Sequence, residues 1–291
     1  MPNPSPLRYP GGKNKLSQFM STVIKNMNFD TCTYIEPFAG GAGIALSLLL
    51  DGTVDRIVIN DYDKAIYSFW RSIKEEPDEL KKRIHNTPIT IDEWYKQKDI
   101  YVKSKSYSLD LAFATLFLNR TNHSGILNAG PIGGYAQDGD WKLDVRFNKD
   151  KIIDKIEKIA KHRNKITVYN KDIISLLTNY APRFAGNQFY YFDPPYYNKG
   201  QELYKNFFNA NDHKRIRDKI ANEIMAPWII TYDDVDEIVK LYNNYSVKRF
   251  ELTYSAANKG TATELMIFSD DKNCPTSEQI KQEKIKINLR G

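Results

Sequence analysis

The sequence predicts an α/β fold: a mostly parallel, seven-stranded sheet covered on both faces, with a helical insertion between its second and third strands. The first observation is seven short runs, most of them β-branched or aromatic, bounded by turn or polar residues: 33–36, 56–60, 165–169, 188–192, 228–232, 247–254 and 264–268. The second is helical patterning between several of them. Residues 44–50 follow a glycine cluster, 65–73 follow the second run, and 212–225 carry Ile216, Ile220 and Ile224 at helical spacing. The third is a break in that alternation. Between about 70 and 164 there is a charged helical stretch, KEEPDELKKRI, then an apolar helix, LDLAFATLFLNR. A glycine-rich polar segment (121–148) follows, and last an amphipathic helix with Ile152, Ile153, Ile156 and Ile159 on one face. The polar segment is too long for a tight turn, so it reads as a functional loop or hairpin.

Composition bounds the rest. The 291 residues, 41% hydrophobic and 27% charged, suffice for one large domain or two modest ones. The longest apolar run, around 44–50, is far too short to span a bilayer, and MPNPSPLRYPGG lacks a signal-peptide core. A soluble, cytoplasmic protein is expected. Cys32 and Cys274 are too few for a disulfide framework or a cysteine-built zinc site, and the four histidines are scattered, so no metal is expected. The net charge of +6 fits a polyanionic partner without requiring one.

The first chemical signal is YIEPFAGGAGIALSLL (34–49), read as strand, glycine turn and helix. Gly40, Gly41 and Gly43 let the backbone turn tightly and approach a ligand, and the amides at the helix start face it. In IVINDYD, Asp61 closes the second strand, where an acidic residue of an α/β fold binds ribose hydroxyls. RYPGGKNKL is not a phosphate loop, because Leu7 stands where a glycine is needed and Asn14 follows Lys13. A nucleoside without phosphates fits better, and S-adenosylmethionine is the obvious one.

The second signal is DPPYY (193–197) at the end of a strand. An exocyclic base amine is a poor nucleophile, because its lone pair is delocalised into the ring. The Asp193 carboxylate and the Pro194 carbonyl are two acceptors that favour the pyramidal amine and stabilise positive charge developing on nitrogen. The Tyr196 ring can stack on a base extruded from a duplex.

With these residues in place, the chain resembles the Dam-type (D12 class, group α) DNA adenine-N6 methyltransferases. The resemblance rests on RYPGGK (8–13), IEPFAGGAG (35–43), INDYD (59–63), LNRTNHSGI (118–126), RFN (146–148) and DPPYY, in the family's order over most of the chain. It implies a Rossmann-like, S-adenosylmethionine-dependent methyltransferase sheet formed by residues 1–69 and 165–291, with a helical DNA-recognition domain inserted at 70–164. It also implies cofactor contacts by Tyr9 and Lys13, by Glu36, Phe38 and the glycines around the methionine part, by Asp61 on the ribose, and by Asp172 near the adenine. Asp193 lies beside both substrates. Asp172 has a competing reading as an ordinary helix cap, and Tyr9 stands where the family often has Trp.

In the hairpin that the resemblance makes the recognition element, Arg120, Asn122, His123 and Ser124 are donors and acceptors suited to base edges or phosphates. Ile126 or Leu127 is a candidate wedge. The basic helix 151–165 either tracks phosphate or is a solvated face. The stretch after DPPY, with Lys199, Tyr204 and Lys205, reads as a lid over the flipped base. Asn258 and Lys259 lie in a loop between the last two strands, with their orientation open. The expected partner is double-stranded DNA, with a cognate restriction endonuclease as a second candidate and a monomeric protein. No membrane partner is expected.

The expected chemistry is direct, in-line methyl transfer to adenine N6. Cytosine-C5 chemistry needs a Pro-Cys nucleophile, whereas Cys274 stands in the reverse order, NCPT. Cytosine-N4 enzymes more often carry Ser in place of Asp193, and protein-glutamine methylation suits Asn there. A non-catalytic DNA-binding subunit is the alternative from a different class.

Overall fold

A computed structural model describes residues 3–9, 13–184, 186–197, 208–254, 260–285, 287 and 289–290. One sheet runs through it in the order β3-β2-β1-β4-β5-β7-β6-β8. The strands are β1 (Cys32–Glu36), β2 (Arg56–Asn60), β3 (Ile166–Tyr169), β4 (Asn187–Phe192), β5 (Trp228–Asp233), β6 (Ser246–Tyr254), β7 (Gly260–Phe268) and β8 (Leu289–Arg290). Pairs β1–β2, β2–β3, β1–β4 and β4–β5 are parallel; β7 is antiparallel to β5 and β6, and β8 to β6. The α/β, Rossmann-like, mostly parallel sheet predicted from sequence is therefore present, with one correction. Among the described residues it has eight strands, because the two-residue β8 adds to the edge through Arg249 and Phe250. So short a run carries no periodicity to read.

The central strands are buried on both sides, and their side chains alternate between two cores. Tyr34, Phe189 and Tyr191 face one; Ile35, Tyr190 and Phe192 face the other. The first core is closed by α1 (Ser17–Asn26), α2 (Gly43–Leu50) and α3 (Lys64–Glu75). The segment between β2 and β3 continues as α4 (Pro77–Asn86), α5 (Ile91–Lys103), α6 (Leu109–Thr121) and α7 (Lys149–Ala160). Its apolar residues Leu80, Trp94, Phe117 and Ile156 join that same core. Position 70, the expected start of the insertion, falls inside the continuous α3. That helix ends at Glu75, and Glu76, with φ −133° and ψ 44°, precedes Pro77 at the first position of α4.

The second core is closed by a short helix, α8 (Ile173–Ser175), with the turns after it, and by α9 (Ala210–Glu223) and α10 (Asp236–Leu241). A capping box of Asn209 and Asp212 starts α9. Helix α11 (Ser277–Gln282) is the last. No helix among the described residues is long and apolar enough to cross a membrane.

Candidate active site

The strand order reverses between β1 and β4, and a crevice opens there at the carboxyl ends of the strands. Glu36 ends β1, Asp61 follows β2 and Asp193 follows β4, so three carboxyl groups emerge along one sheet edge. They line a cavity of about 350 Å³, together with Tyr9, Lys13 and the loop from Pro37 to Gly43.

The glycine loop is shaped by close approach. Gly40 has φ +45°, and a Cβ there would fall 2.6 Å from the Tyr9 ring; at Gly41 it would fall 2.9 Å from the Tyr9 Cβ. Only glycine lets this aromatic side chain lie against the turn. Ala42 also adopts the left-handed region, at φ 48°, as it enters α2. The first turn of α2 is partly engaged from within, because the Ala45 N–H donates to Glu36 Oε2 at 3.2 Å. Burial pushes the Glu36 carboxyl up to about 8, against that N–H, with the nearby Asp193 adding to the rise.

Asp61 accepts the Gly40 N–H at 2.9 Å and the Asp63 N–H at 2.8 Å. Burial nevertheless pushes its carboxyl up to about 7. Asn60 holds the neighbouring loops together: its side chain donates to the Pro37 and Lys171 carbonyls and accepts the Lys171 N–H. The Trp70 indole donates to the Gly40 carbonyl at 2.8 Å, bracing the glycine loop from α3. Asp172 lines the cavity, and one of its oxygens caps α8 through the Ile174 and Ser175 N–H groups. Phe38 is partly buried, with its ring 6.1 Å from that of Phe208.

At the DPPYY turn, Asp193 Oδ1 accepts the Thr231 hydroxyl at 2.9 Å and lies 3.6 Å from the Lys13 ammonium. Burial raises the Asp193 carboxyl; Lys13 and Thr231 oppose the rise. Lys13, only 5% exposed, also meets Glu264 at 3.1 Å and hydrogen-bonds the Tyr196 hydroxyl. Tyr196 in turn donates to Glu264 at 2.6 Å. Pro194 is buried. The Tyr197 N–H donates to Asp233 at 2.9 Å, and its ring packs on His213 at 5.2 Å. Tyr197, unassigned from sequence, thus fastens the turn to β5 and α9.

The glycine-rich segment begins as a hairpin, bridged between Asn122 and Pro131, and its residues Gly125 to Asn128 line the mouth of the cavity. His123 and Ser124 are exposed there, the latter at φ 55°. Asn122 does not reach outward as expected. It is fully buried, accepts the Trp94 indole N–H at 2.6 Å and donates to the Ile126 and Leu127 carbonyls. Its donors are spent on shaping the hairpin. Arg120 is largely turned inward too, hydrogen-bonding the Pro6 and Arg146 carbonyls, and burial beside Arg8 pushes it down to about 10. Tyr204, Lys199 and Lys205, like Asn258 and Lys259, lie outside the described residues.

Residues 9–256 match the family described as D12 class N6 adenine-specific DNA methyltransferase. The chain belongs to that family. Two relatives of this D12-class methyltransferase are similar along most of their length. The Type II methyltransferase M.MjaIII of Methanocaldococcus jannaschii is 24% identical over 84% of this chain and 89% of its own. The Type II methyltransferase M1.LlaDCHI of Lactococcus lactis subsp. cremoris is 22% identical over 80% and 85%. Among solved structures, the rRNA methyltransferase aviRa of Streptomyces viridochromogenes is 12% identical, with a TM-score of 0.43 over 89% of this chain and 86% of its own. The methyltransferase domain of bacterial CtHen1-CN is 11% identical, with a TM-score of 0.39 over 88% and 98%.

A D12 methyltransferase implies S-adenosylmethionine as methyl donor, and the cavity's chemistry fits it. There is an aromatic face at Tyr9, a carboxylate at Asp61 with capacity for further hydrogen bonds, and an excess of carboxyl groups suited to a cationic donor. Among the described residues no cluster of three His, Cys, Asp or Glu side chains could hold a metal ion. Sequence reasoning missed Glu264, Thr231, Asn60 and Trp70. Glu264 alone had a visible signal: a single carboxylate opening the apolar run ELMIF.

Proposed function

We propose that this DNA methyltransferase transfers the methyl group to the N6 amine of an adenine extruded from duplex DNA, by direct in-line displacement. The supporting observation is the placement of the Asp193 carboxylate in the cavity wall, next to Glu36 and Lys13. Tyr9, Lys13, Glu36, Phe38, the glycine loop, Asp61, Asp172 and Asp193, all in the cavity lining, are the residues that hold the cofactor. S-adenosylmethionine, when bound, supplies a methyl group already activated by its sulfonium.

The protein's part is positioning and electrostatics. The Asp193 carboxylate and the Pro194 carbonyl accept the two amine hydrogens, which turns the nitrogen lone pair out of conjugation. Tyr196 offers its ring to the extruded base. The hairpin supplies His123 and Ser124 to the DNA, and residues 70–164 form the target-recognition part.

Charge supports a phosphate contact behind the hairpin. Arg8, Arg120, Arg146 and Lys155 lie close together: burial and then Arg146 lower Arg8, burial and then Arg8 lower Arg120, and burial and then Arg120 lower Lys155. Among the described residues none of the four is in an ion pair with a carboxylate. DNA phosphates are the partners this cluster suits. The names of the two Type II relatives favour a modification enzyme that shares its site with a restriction endonuclease.

Incubation with labelled S-adenosylmethionine and duplex DNA, followed by nucleoside analysis, tests the reading. Label in N6-methyladenine is expected. Label in N4-methylcytosine, or none in DNA, refutes it. Asp193→Ala is expected to bind DNA and lose transfer.

A further inference from the structure

We propose that Glu264 is a positioning residue for methyl transfer, holding Lys13 away from Asp193 and anchoring the Tyr196 ring. This rests on the adenine-N6 reading of the site. Glu264 sits on β7 opposite Asp233 of β5, which brings it to the sheet edge where Asp193 emerges. It opens a run of buried apolar residues and is itself only 2% exposed. A buried carboxylate persists only when paired and hydrogen-bonded. Glu264 is both: the Lys13 ammonium lies 3.1 Å from Oε2, and the Tyr196 hydroxyl donates to Oε1 at 2.6 Å.

The geometry shows why this matters for Asp193. Among the described residues Lys13 faces two carboxylates and lies nearer to Glu264, at 3.1 Å against 3.6 Å for Asp193. Without the Glu264 charge, the ammonium keeps Asp193 within reach, and a closer pair would engage the oxygen that the target amine needs. Tyr196 stands three positions beyond Asp193, and its hydroxyl is tied at both ends of this network. Fixing the hydroxyl fixes the ring, which also lies 4.7 Å from the ammonium.

Among the described residues the groups within electrostatic reach of Asp193 are Lys13, Glu36, Glu264, the Thr231 hydroxyl and the phenols of Tyr34, Tyr191 and Tyr232. Glu264→Gln keeps an acceptor for Tyr196 and removes one negative charge from that set. Removing the like charge and freeing Lys13 both favour the ionised form of Asp193.

The test compares wild type, Glu264→Gln, Tyr196→Phe and the double variant on one duplex substrate. Glu264→Gln is expected to lower kcat about ten- to hundredfold, the range for losing one charge-assisted contact. The DNA Kd should stay within about threefold, and the acid limb of kcat should move to lower pH. Tyr196→Phe is expected to lower kcat about tenfold, with a further loss in the double variant, because Glu264→Gln leaves the Tyr196 tether in place. In cofactor-free protein, 2-aminopurine at the target position should brighten equally in wild type and Glu264→Gln. Wild-type kcat and pH profile in Glu264→Gln, with only a lower Tm, overturn the proposal, and so does loss of the brightening. If Glu264→Gln does not fold, unchanged kcat and pH profile in Tyr196→Phe overturn it. Wild-type protein that labels cytosine, or nothing, refutes the adenine-N6 reading instead.

Discussion

Asn119 grips the backbone of Arg8 on both sides. Its oxygen accepts the Arg8 N–H at 2.7 Å, and its amide donates to the Arg8 carbonyl at 2.7 Å and to the Gly125 carbonyl at 2.9 Å. Two motifs more than a hundred residues apart, RYPGGK and LNRTNHSGI, therefore meet through one side chain. Gly125 completes the fit, since a Cβ there would lie 2.4 Å from the Arg8 carbonyl oxygen.

Asn119→Ala leaves one donor and two acceptors without their partner in a site where the side chain is 1% exposed. Unsatisfied buried groups cost about 1–3 kcal/mol each, and partial relaxation brings the expected loss to about 2–3 kcal/mol. Urea denaturation measures it. A midpoint unchanged from wild type would show that the grip contributes nothing to the fold.

Asp61 makes the ligand-free protein sensitive to pH. Its folded carboxyl is raised from 3.8 to about 7 by burial. Between those values the folded state keeps a proton that the unfolded state has released, so the contribution to stability is fully present below about 4 and is lost as pH rises through about 7. Asp61→Asn removes this dependence. The Tm difference between variant and wild type is expected to move in the variant's favour from pH 5 to pH 8. Cofactor affinity in the wild type should rise over the same interval, as the carboxylate becomes available to ribose hydroxyls. Calorimetric Kd values that are flat from pH 6 to pH 8 would exclude Asp61 as the ribose acceptor.

The sheet was legible in the sequence because its strands are short, apolar and bounded, and because glycine and proline mark their ends. The acidic side of the cavity was legible for a related reason: Glu36 ends a strand, and Asp61 and Asp193 each follow one directly, so sequence position alone places them on one edge. What stayed hidden depends on register and long-range packing. Glu264 reaches the site only because β7 runs antiparallel beside β5, which pairs Glu264 with Asp233. The inward turn of Asn122 was equally hidden, because a polar residue in a polar segment gives no sign of facing Trp94. Helices α1 and α5 were missed because no glycine turn or preceding strand framed them; α5 does begin with Thr90 as its cap.

The basic cluster yields a salt dependence. Arg146 is exposed, while Arg120 and Lys155 are partly buried against the backbone of the N-terminal segment. Arg146→Ala is therefore expected to spare the fold and remove about one phosphate contact. The slope of log K against log salt should shrink in magnitude by about one, with no change in which sequences are methylated. An unchanged slope would place the phosphate path elsewhere.

Asn60 carries the last expectation, because it joins two loops that do not touch each other in sequence. Its amide donates to Pro37 at 2.9 Å and to Lys171 at 3.1 Å, its oxygen accepts the Lys171 N–H at 2.8 Å, and its own carbonyl accepts the Ala39 N–H at 2.9 Å. The side-chain bonds set the distance between the glycine loop and the turn bearing Asp172, the two walls of the cavity. Asn60→Ala keeps the backbone bond to Ala39 and removes the bracing. A brace that preorganises a site acts on affinity more than on chemistry. The cofactor Kd is expected to rise about tenfold, equivalent to about 1.4 kcal/mol, while kcat at saturating cofactor falls less than about threefold. The reverse pattern, with unchanged Kd and reduced kcat, would mean that Asn60 acts on the transfer step rather than on the cavity.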